Sequence, residues 1–461
     1  MRKALQWYLQ ENVISNTEKM AIDNIIPERA KVLVVGGGGR EHAIVDALSR
    51  SLRVAKIFCA PGNAGIARQA ECVPIGDTEV TRLADFAEAN SIDLTVVGPE
   101  IALAAGITDV FVARGLHIFG PDKAAARIES SKEFAKEIMS KYNVPTAGYR
   151  TFSDFNEAFD YVRSGKFPTV LKYDGLAAGK GVVVAQDIDE AKHALKDMLL
   201  DDKFGEGKVI IEEYLEGTEF SFMCFVNGTE VEPLELAQDH KRAFEGDKGP
   251  NTGGMGAYSP LPFITEKDEV FALERIMKPV ATALVEAGCP FKGILYGGLM
   301  KTEDGIKVIE FNCRFGDPET EVILPRLESD IFELFWDVAC NIPMPVTKWS
   351  NEAVLGFVMA SEGYPGRYTK GLEIRGIDKA LEDPSVKIYH MGTALEKFAD
   401  GKDHEEFGNS GKSLVTAGGR VMMVLASGDT LLQAHDKALE AVGKIDCPNL
   451  FFRKDIGYRV L

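Results

Sequence analysis

The stretch Val308-Ile309-Glu310-Phe311-Asn312-Cys313-Arg314-Phe315-Gly316-Asp317 carries two chemistries on two faces. Successive side chains of a β-strand point to opposite sides, so Glu310, Asn312 and Arg314 share one face and Phe311, Cys313 and Phe315 the other. The apolar face reads as core. On the polar face a carboxylate and an amide two residues apart suit a hard cation such as Mg²⁺, and the adjacent guanidinium suits the phosphate oxygens such a cation holds. A solvated edge strand has the same pattern, so its meaning rests on the rest of the chain.

Two glycine-rich loops are the next candidates for phosphate chemistry. Gly36-Gly37-Gly38-Gly39 lies between the apolar run Lys31–Val35 and a helical pattern from Arg40, which presents free amides at the positive end of a helix. A dinucleotide fingerprint needs a third glycine at position 41, where Glu41 stands, and the next strand ends in Cys59-Ala60-Pro61 without a ribose-binding acid. This argues against NAD. The second loop, Asp174–Gly181 (DGLAAGKG), follows Lys172. It is not a Walker A loop, because three residues separate Gly175 from Gly179 and Gly181 stands where a Mg²⁺-binding Ser or Thr belongs. It reads as a mobile hairpin lid that closes over phosphates, with charge from Lys172 and Lys180, against the plainer reading of a flexible surface hairpin. Val209–Leu215 ends in Glu212 and Glu213, positioned for an adenosine, although such acids are more often solvated.

These residues need a large scaffold, and 461 residues supply one: at roughly 150 residues per domain, about three domains are expected. A hydrophobic share of 45% and a charged share of 26% are those of a globular protein, and no apolar run approaches the roughly 20 residues of a membrane span. The net charge of −18 argues against nonspecific nucleic-acid binding. Seven cysteines without a C-x-x-C pair argue against a zinc ribbon or a disulfide framework and fit a reducing, cytoplasmic setting. The first 30 residues lack the apolar core of a secretory signal and carry Glu11, Glu18, Asp23 and Glu28; an appendage, a tail, or a start at Met20 are all compatible with them.

Periodicity divides the chain into an extension (1–30), an open parallel α/β domain (31–130), a central α+β domain (131–342, with a lid subdomain about 146–215) and a small C-terminal α+β domain (343–461) after Pro343 and Pro345. In the first domain, strands Val54–Ala60 and Asp93–Val97 and helices Thr81–Asn90 and Ala102–Arg114 are expected. In the second, a helix over Asp268–Ala287 and strands Thr169–Tyr173, Val209–Glu213, Glu219–Val226, Gly293–Lys301 and Lys307–Asn312 are expected. Gln238–Pro260 has little periodicity, is rich in glycine and reads as a long functional loop.

Taken in order, Lys172, the DGLAAGKG loop, Glu212-Glu213-Tyr214-Leu215 and Glu310-Phe311-Asn312 resemble the ATP-grasp superfamily. Gly36–Ala43 (GGGGREHA), Pro61–Gly65 (PGNAG), Val97–Glu100 (VGPE), Ala237–Pro260 and Asn312–Thr320 (NCRFGDPET) narrow the resemblance to the glycinamide ribonucleotide synthetase family. It extends through Gly363–Gly371, Gly418-Gly419-Arg420 and Phe452–Gly457 to the end of the chain. The resemblance implies an ATP-grasp central domain and an ATP-dependent ligase of purine biosynthesis that joins glycine to 5-phosphoribosylamine through glycyl phosphate.

It also implies roles. Arg314, Lys172 and Asp239 would be catalytic, and Glu310 and Asn312 would hold Mg²⁺ or Mn²⁺. Lys132, Lys172, Gly179, Lys180, Gly181, Glu212, Glu213, Leu215 and Glu219 would bind ATP. The substrates would meet Gly37, Gly38, Gly39 and Arg40, then Pro61, Gly62 and Asn63, then Lys241, Asn251, Thr252, Gly253, Gly254 and Met255, and finally Asp317. The implied partners are ATP, glycine and the amine, with no nucleic acid and no membrane. A monomer in transient contact with the upstream amidophosphoribosyltransferase is expected, and the end soon after FRKDIG fits a monofunctional enzyme. His240 is as often a hydrogen-bonding support as a base. Ser130, Tyr173, Met391 and Glu321 depart from the family pattern, Glu321 adding charge near the metal strand. The competing readings are a biotin carboxylase-like or D-alanine ligase-like enzyme, and a noncatalytic nucleotide-binding protein.

Overall fold

The computed structural model describes residues 26–175, 181–201, 207–396 and 412–461. Gly179, Lys180 and most of the leader therefore lie outside the described residues, as does the centre of the expected lid. No helix among the described residues is long and apolar enough to cross a membrane.

The apolar run before the glycines forms the central strand Ala30–Gly36, buried on both faces as in a parallel sheet covered by helices. The sheet order is Glu71–Cys72, Val54–Pro61, Ala30–Gly36, Leu94–Val97 and Ile118–Phe119, all parallel. Chain direction of growth reverses between Ala30–Gly36 and Leu94–Val97. The loops leaving these two strands, Gly36–Gly39 and Gly98–Glu100, therefore flank the switch point where open α/β sheets bind ligands. The single helix expected over Ala102–Arg114 is instead two, Glu100–Ala104 and Ile107–Ala113, because Gly106 between them adopts φ +87° and breaks the turn.

Two four-stranded sheets make the centre. One runs Glu230–Pro233, Thr218–Asn227, Lys292–Thr302 and Gly305–Asn312; the other runs Tyr149–Phe152, Val209–Glu213, Thr169–Tyr173 and Val182–Ala185. They are bridged where Lys172 Nζ donates to the carbonyl of Ile309 at 2.9 Å. Phe311, Cys313 and Phe315 are buried, and Glu310, Asn312 and Arg314 line a cavity, as strand alternation requires. The helix expected over Asp268–Ala287 begins at Glu266, where Thr265 and Asp268 form a reciprocal cap, and carries a π-helical segment at Leu273–Met277.

Gln238–Pro260 is not a structureless loop. It holds Gln238–Asp239, a hairpin of Arg242–Phe244 with Lys248–Asn251, and Gly256–Ser259. Gly256–Ser259 pairs antiparallel with Ala353–Ser361, so the sheet of the C-terminal strands (Ala353–Ser361, Arg420–Gly428, Val386–His390) takes two strands from the middle of the chain. Segments of two to four residues show no periodicity of their own, and the partner of Gly256–Ser259 in the C-terminal sheet lies about a hundred residues later.

Candidate active site

A cavity of about 410 Å³ opens where these four sheets converge. At one end, Lys172 on Thr169–Tyr173 places Nζ 3.1 Å from Glu212 Oε2, and Lys136 Nζ lies 3.2 Å from the same oxygen. Glu212 is thus a buried acid shared by two lysines, whereas Glu213, next along the strand, points away and accepts from the Gly148 amide at 3.2 Å. Burial lowers the Lys136 ammonium to about 8, with Glu212 opposing and Lys172 reinforcing. Lys132, also lowered by burial, donates to the carbonyl of Gly175 at 3.0 Å, so it touches the root of the lid loop. Gly181 lines the same end. Glu213 and Leu215 lie in a second, more open cavity that meets the first at Glu212.

Glu310 and Asn312 project into the middle of the cavity. Burial works to raise the Glu310 carboxyl, but Lys241, Lys172, Lys132 and Arg314 outweigh it and hold the group below its usual range. Its oxygens make no hydrogen bond or ion pair among the described residues. An ionised, uncommitted carboxylate beside an amide oxygen fits a hard cation. Among the described residues no cluster of three or more His, Cys, Asp or Glu side chains could hold a metal ion.

Arg314 is not free for a phosphoryl group alone. Its Nη2 lies 3.0 Å from Glu129 Oε1 and its Nε 3.3 Å from Glu100 Oε2, and it reaches Asn312 Oδ1 at 3.4 Å. Glu129 in turn accepts from the Cys313 amide at 2.8 Å, fixing the end of the Gly305–Asn312 strand. Neither acid stands out in the sequence, because nothing local marks them as partners of position 314.

The far end is built by loops of the first sheet and by the C-terminal sheet. Arg40 lines the cavity and donates to the carbonyl of Gly98 at 3.0 Å across the switch point. Asn63 ties two loops together: Nδ2 donates to Gly37 O at 2.9 Å and to His390 O at 2.7 Å, while Oδ1 accepts from Gly65 and Ile66. A Cβ at Gly37 would lie 2.6 Å from the carbonyl of Gly62, so these loops pack backbone to backbone. Gly37, Gly38, Gly39, Pro61, Gly62 and Asn63 are brought together in this way, but none of the six lines the cavity; the neighbouring Arg40 does. Gly38 donates to Glu41 Oε2 at 2.5 Å, which shows what Glu41 does in place of a third glycine.

Of the 239–255 segment, Asp239, Lys241, Thr252 and Gly253 line the cavity. Asn251 lies in an adjoining groove, Met255 is fully buried, and Gly254 packs on Pro318 with φ +107°. Lys241 Nζ pairs with Glu219 at 3.1 Å; burial opposes its charge, but Glu219 and Asp239 outweigh burial and raise it well above the usual range. Burial also raises Asp239 to about 7, opposed by Lys241 and reinforced by Glu319 and Glu219. His240 is a support: buried, it accepts from the Gly457 amide on Nε2 at 3.0 Å. Asp317 is held by Arg420, whose Nη1 lies 2.8 Å from Oδ1 and also donates to the carbonyl of Gly253.

Sequence reasoning left unassigned Lys136, Glu100, Glu129, Tyr296, Glu319, Tyr364 and Arg420, all of which line the cavity. Arg420 had a signal, the Gly418-Gly419-Arg420 motif. Glu321 is fully buried against Gly39, neither oxygen has a hydrogen-bond partner among the described residues, and burial raises its carboxyl well above the usual range.

Three family models match the chain in succession: the phosphoribosylglycinamide synthetase N domain over 30–129, its ATP-grasp (A) domain over 130–320 and its C domain over 354–459. A phosphoribosylamine–glycine ligase of Halalkalibacterium halodurans is 49% identical over 432 residues, covering 93% of this chain and 97% of that protein. One from Streptococcus pyogenes is 48% identical over 435 residues, covering 94% and 99%. The crystal structure of the Thermotoga maritima phosphoribosylamine–glycine ligase superposes with a TM-score of 0.78 at 30% identity, covering 92% and 100%. Biotin carboxylase from Campylobacter jejuni shares the fold alone, with a TM-score of 0.68 at 14% identity over 92% and 93% of the chains.

Proposed function

The chain belongs to the phosphoribosylglycinamide synthetase family, and on that premise we propose that it joins glycine to 5-phospho-D-ribosylamine with ATP, giving glycinamide ribonucleotide, ADP and phosphate in purine biosynthesis. The observation that carries the reading is a single cavity with Lys132, Lys172, Glu310 and Asn312 at one end and Arg40, Asp317 and Arg420 at the other. A triphosphate and a phosphosugar amine have separate places there, and the acyl group passes between them.

The reaction runs in two displacements. A carboxylate oxygen of glycine attacks the γ-phosphorus of ATP and ADP leaves; the amine nitrogen then attacks the acyl carbon of glycyl phosphate, phosphate leaves and the amide forms. Both anions of the first step repel each other, so the protein's task is charge neutralisation and alignment. Lys132 and Lys172 take phosphate oxygens at the lid side, and Gly181 allows close backbone approach. Glu212, Glu213, Leu215 and Glu219 serve the nucleoside end. Glu310 and Asn312 would hold Mg²⁺ or Mn²⁺, which supplies charge neutralisation across the phosphates when bound. Arg314, set by Glu100 and Glu129, orients Asn312 and adds positive field. Asp239 and Lys241 set the field where acyl phosphate meets amine. Arg40, the Gly37–Gly39 and Pro61–Asn63 loops, Thr252, Gly253 and Asp317 serve the phosphoribosyl group.

Residues 31–130 then form the amine-binding unit, 131–342 the nucleotide-binding unit and 343–461 the unit that supplies Arg420 and Tyr364. All seven cysteines are free thiols, which supports a cytoplasmic setting; we also propose a monomer that meets the amine-producing amidotransferase transiently. The test is ADP release with glycine and freshly generated phosphoribosylamine, against bicarbonate or D-alanine as alternative acceptors. Turnover with glycine is expected; turnover only with bicarbonate or D-alanine overturns the reading.

A further inference from the structure

One short segment of the C-terminal domain, 390–393, meets both glycine-rich loops of the first domain. His390 ends the strand Val386–His390. Its amide donates to Nδ1 of His42 at 2.8 Å, and its carbonyl accepts from Asn63 Nδ2 at 2.7 Å. The same Nδ2 donates to the carbonyl of Gly37 at 2.9 Å, so a single side-chain amide joins the two loops to the backbone of His390. Ala64 donates to the carbonyl of Thr393 at 3.4 Å, and Thr393 Oγ1 holds the His390 ring, 2.9 Å from its Nδ1.

Two glycines are bare because this segment comes close. A Cβ at Gly65 would overlap the His390 ring and lie 2.6 Å from the His42 ring, and one at Gly39 would overlap Glu321 and lie 2.8 Å from Met391. Gly65 has φ −72° and Gly39 opens the helix Gly39–Ser49, so neither backbone conformation demands a glycine. Both histidines are buried. Burial lowers His42 to about 4, with Asp46 opposing and Lys387 and Arg68 reinforcing, and lowers His390 to about 3, with His42 and Arg68 reinforcing. Both rings are therefore neutral at pH 7, which leaves Nδ1 of His42 a lone pair for the His390 amide.

His42 follows Arg40 by two residues on the helix Gly39–Ser49, and residues two apart on a helix point to different sides. The start of the helix thus carries Arg40 in the cavity wall on one side and His42 against the C-terminal sheet on the other. We propose that His42 and His390 are positioning residues for phosphoribosylamine: through them segment 390–393 sets Arg40 and the 37–39 and 61–65 loops in the form that takes the phosphosugar, an inference that rests on the ligase reading above. Lys132, Lys172, Glu310 and Asn312 stand on or beside elements of the central domain and do not depend on this contact. Its loss therefore weakens one substrate of the three.

The test reads ADP release. The KM for freshly generated phosphoribosylamine is measured at saturating ATP and glycine, and the KM values for ATP and glycine at saturating amine. His42→Leu removes the acceptor and keeps an apolar filling, whereas His42→Asn returns an oxygen near the place of Nδ1. His42→Leu is expected to raise the KM for the amine about tenfold, with the other two KM values within about twofold of wild type, and His42→Asn to recover most of the loss. Gly65→Ala drives a methyl into both rings and is expected to raise the same KM. The double variant Gly65→Ala/His390→Ala opens that space, and its effect is expected to be smaller than the product of the two single effects. A lower thermal midpoint with all three KM values unchanged, or raised in equal proportion, makes the contact a matter of stability alone; it overturns the inference and leaves the ligase reading standing. A wild type inactive with glycine and phosphoribosylamine overturns both. If His42→Leu does not fold, the Gly65 and His390 variants carry the comparison.

Discussion

Lys172 and Glu212 meet diagonally across the lid-side sheet: Lys172 faces Ile210 in the ladder, yet its Nζ lies 3.1 Å from Glu212 Oε2 on the shared face. Lys136 reaches the same oxygen from a helix, so one carboxylate balances two ammonium groups, all three buried. Lys172→Ala leaves Glu212 paired with Lys136. It is therefore expected to raise the KM for ATP and lower kcat, each about tenfold, with a small change in thermal midpoint. Glu212→Gln does the reverse to the apo protein. Two buried lysines lose their counter-charge, the thermal midpoint falls, and MgATP restores more of it than in wild type, because phosphate supplies the missing negative charge. Equal stabilisation of both proteins by MgATP counts against a phosphate role for these lysines.

Four surrounding cations hold the Glu310 carboxyl below its usual range, and it makes no hydrogen bond or ion pair among the described residues. Glu310→Gln is expected to lower metal-dependent kcat by at least about 100-fold, with a thermal midpoint near that of wild type. Chelation of divalent cations abolishes turnover, and Mg²⁺ or Mn²⁺ restores it. A Glu310→Gln enzyme with the wild-type rate and Mg²⁺ dependence removes this residue from the metal site.

Alternation along Val308–Asp317 was legible because one strand carries both faces, and a two-residue period needs no knowledge of the rest of the chain. The parallel first sheet was legible for a similar reason, since a strand buried on both sides is a continuous apolar run. What stayed hidden depends on distant partners. Arg314 looked like a free phosphate ligand because Glu100 and Glu129 are contributed from about 200 residues upstream. The 238–259 strands are two to four residues long and are fixed by the C-terminal sheet. Glu319 lies inside the NCRFGDPET motif, but only the structure shows it in the cavity wall accepting from Ser221 and Tyr296.

That same C-terminal dependence sets a prediction for Arg453. It is 1% exposed and binds Asp455 with two nitrogens at 2.8 Å, Asp247 at 2.9 Å and the carbonyl of Arg242 at 3.0 Å. Burial opposes its charge, and Asp455 and Asp247 outweigh that. The FRKDIG segment thus clamps the Arg242–Asn251 hairpin, which leads into Thr252 and Gly253 at the cavity. Arg453→Met is expected to destabilise by about 3 kcal/mol and to raise the KM for phosphoribosylamine. Normal stability and kinetics would show that the clamp is dispensable.

Asp337, on the helix Ile331–Ala339 and not among the residues that line the cavity, gives a pH prediction with a definite sign. It is 6% exposed, its Oδ1 has no hydrogen-bond partner among the described residues, and burial, with help from Glu333, raises its carboxyl to about 7 from the ordinary value near 4. The folded state therefore binds a proton between about pH 4 and 7 that the unfolded state has released, and stability falls as pH rises through that window. Below pH 4 both states are protonated and nothing is lost; above pH 7 the whole penalty is present. Asp337→Asn removes the ionisation. Its thermal midpoint is expected to match that of wild type near pH 4 and to exceed it increasingly up to pH 7, then to level off. After allowance for solvent screening, the gain is on the order of 2 kcal/mol. Midpoints of the two proteins that run parallel from pH 4 to 8 would mean that Asp337 ionises in the folded protein as easily as in the unfolded chain.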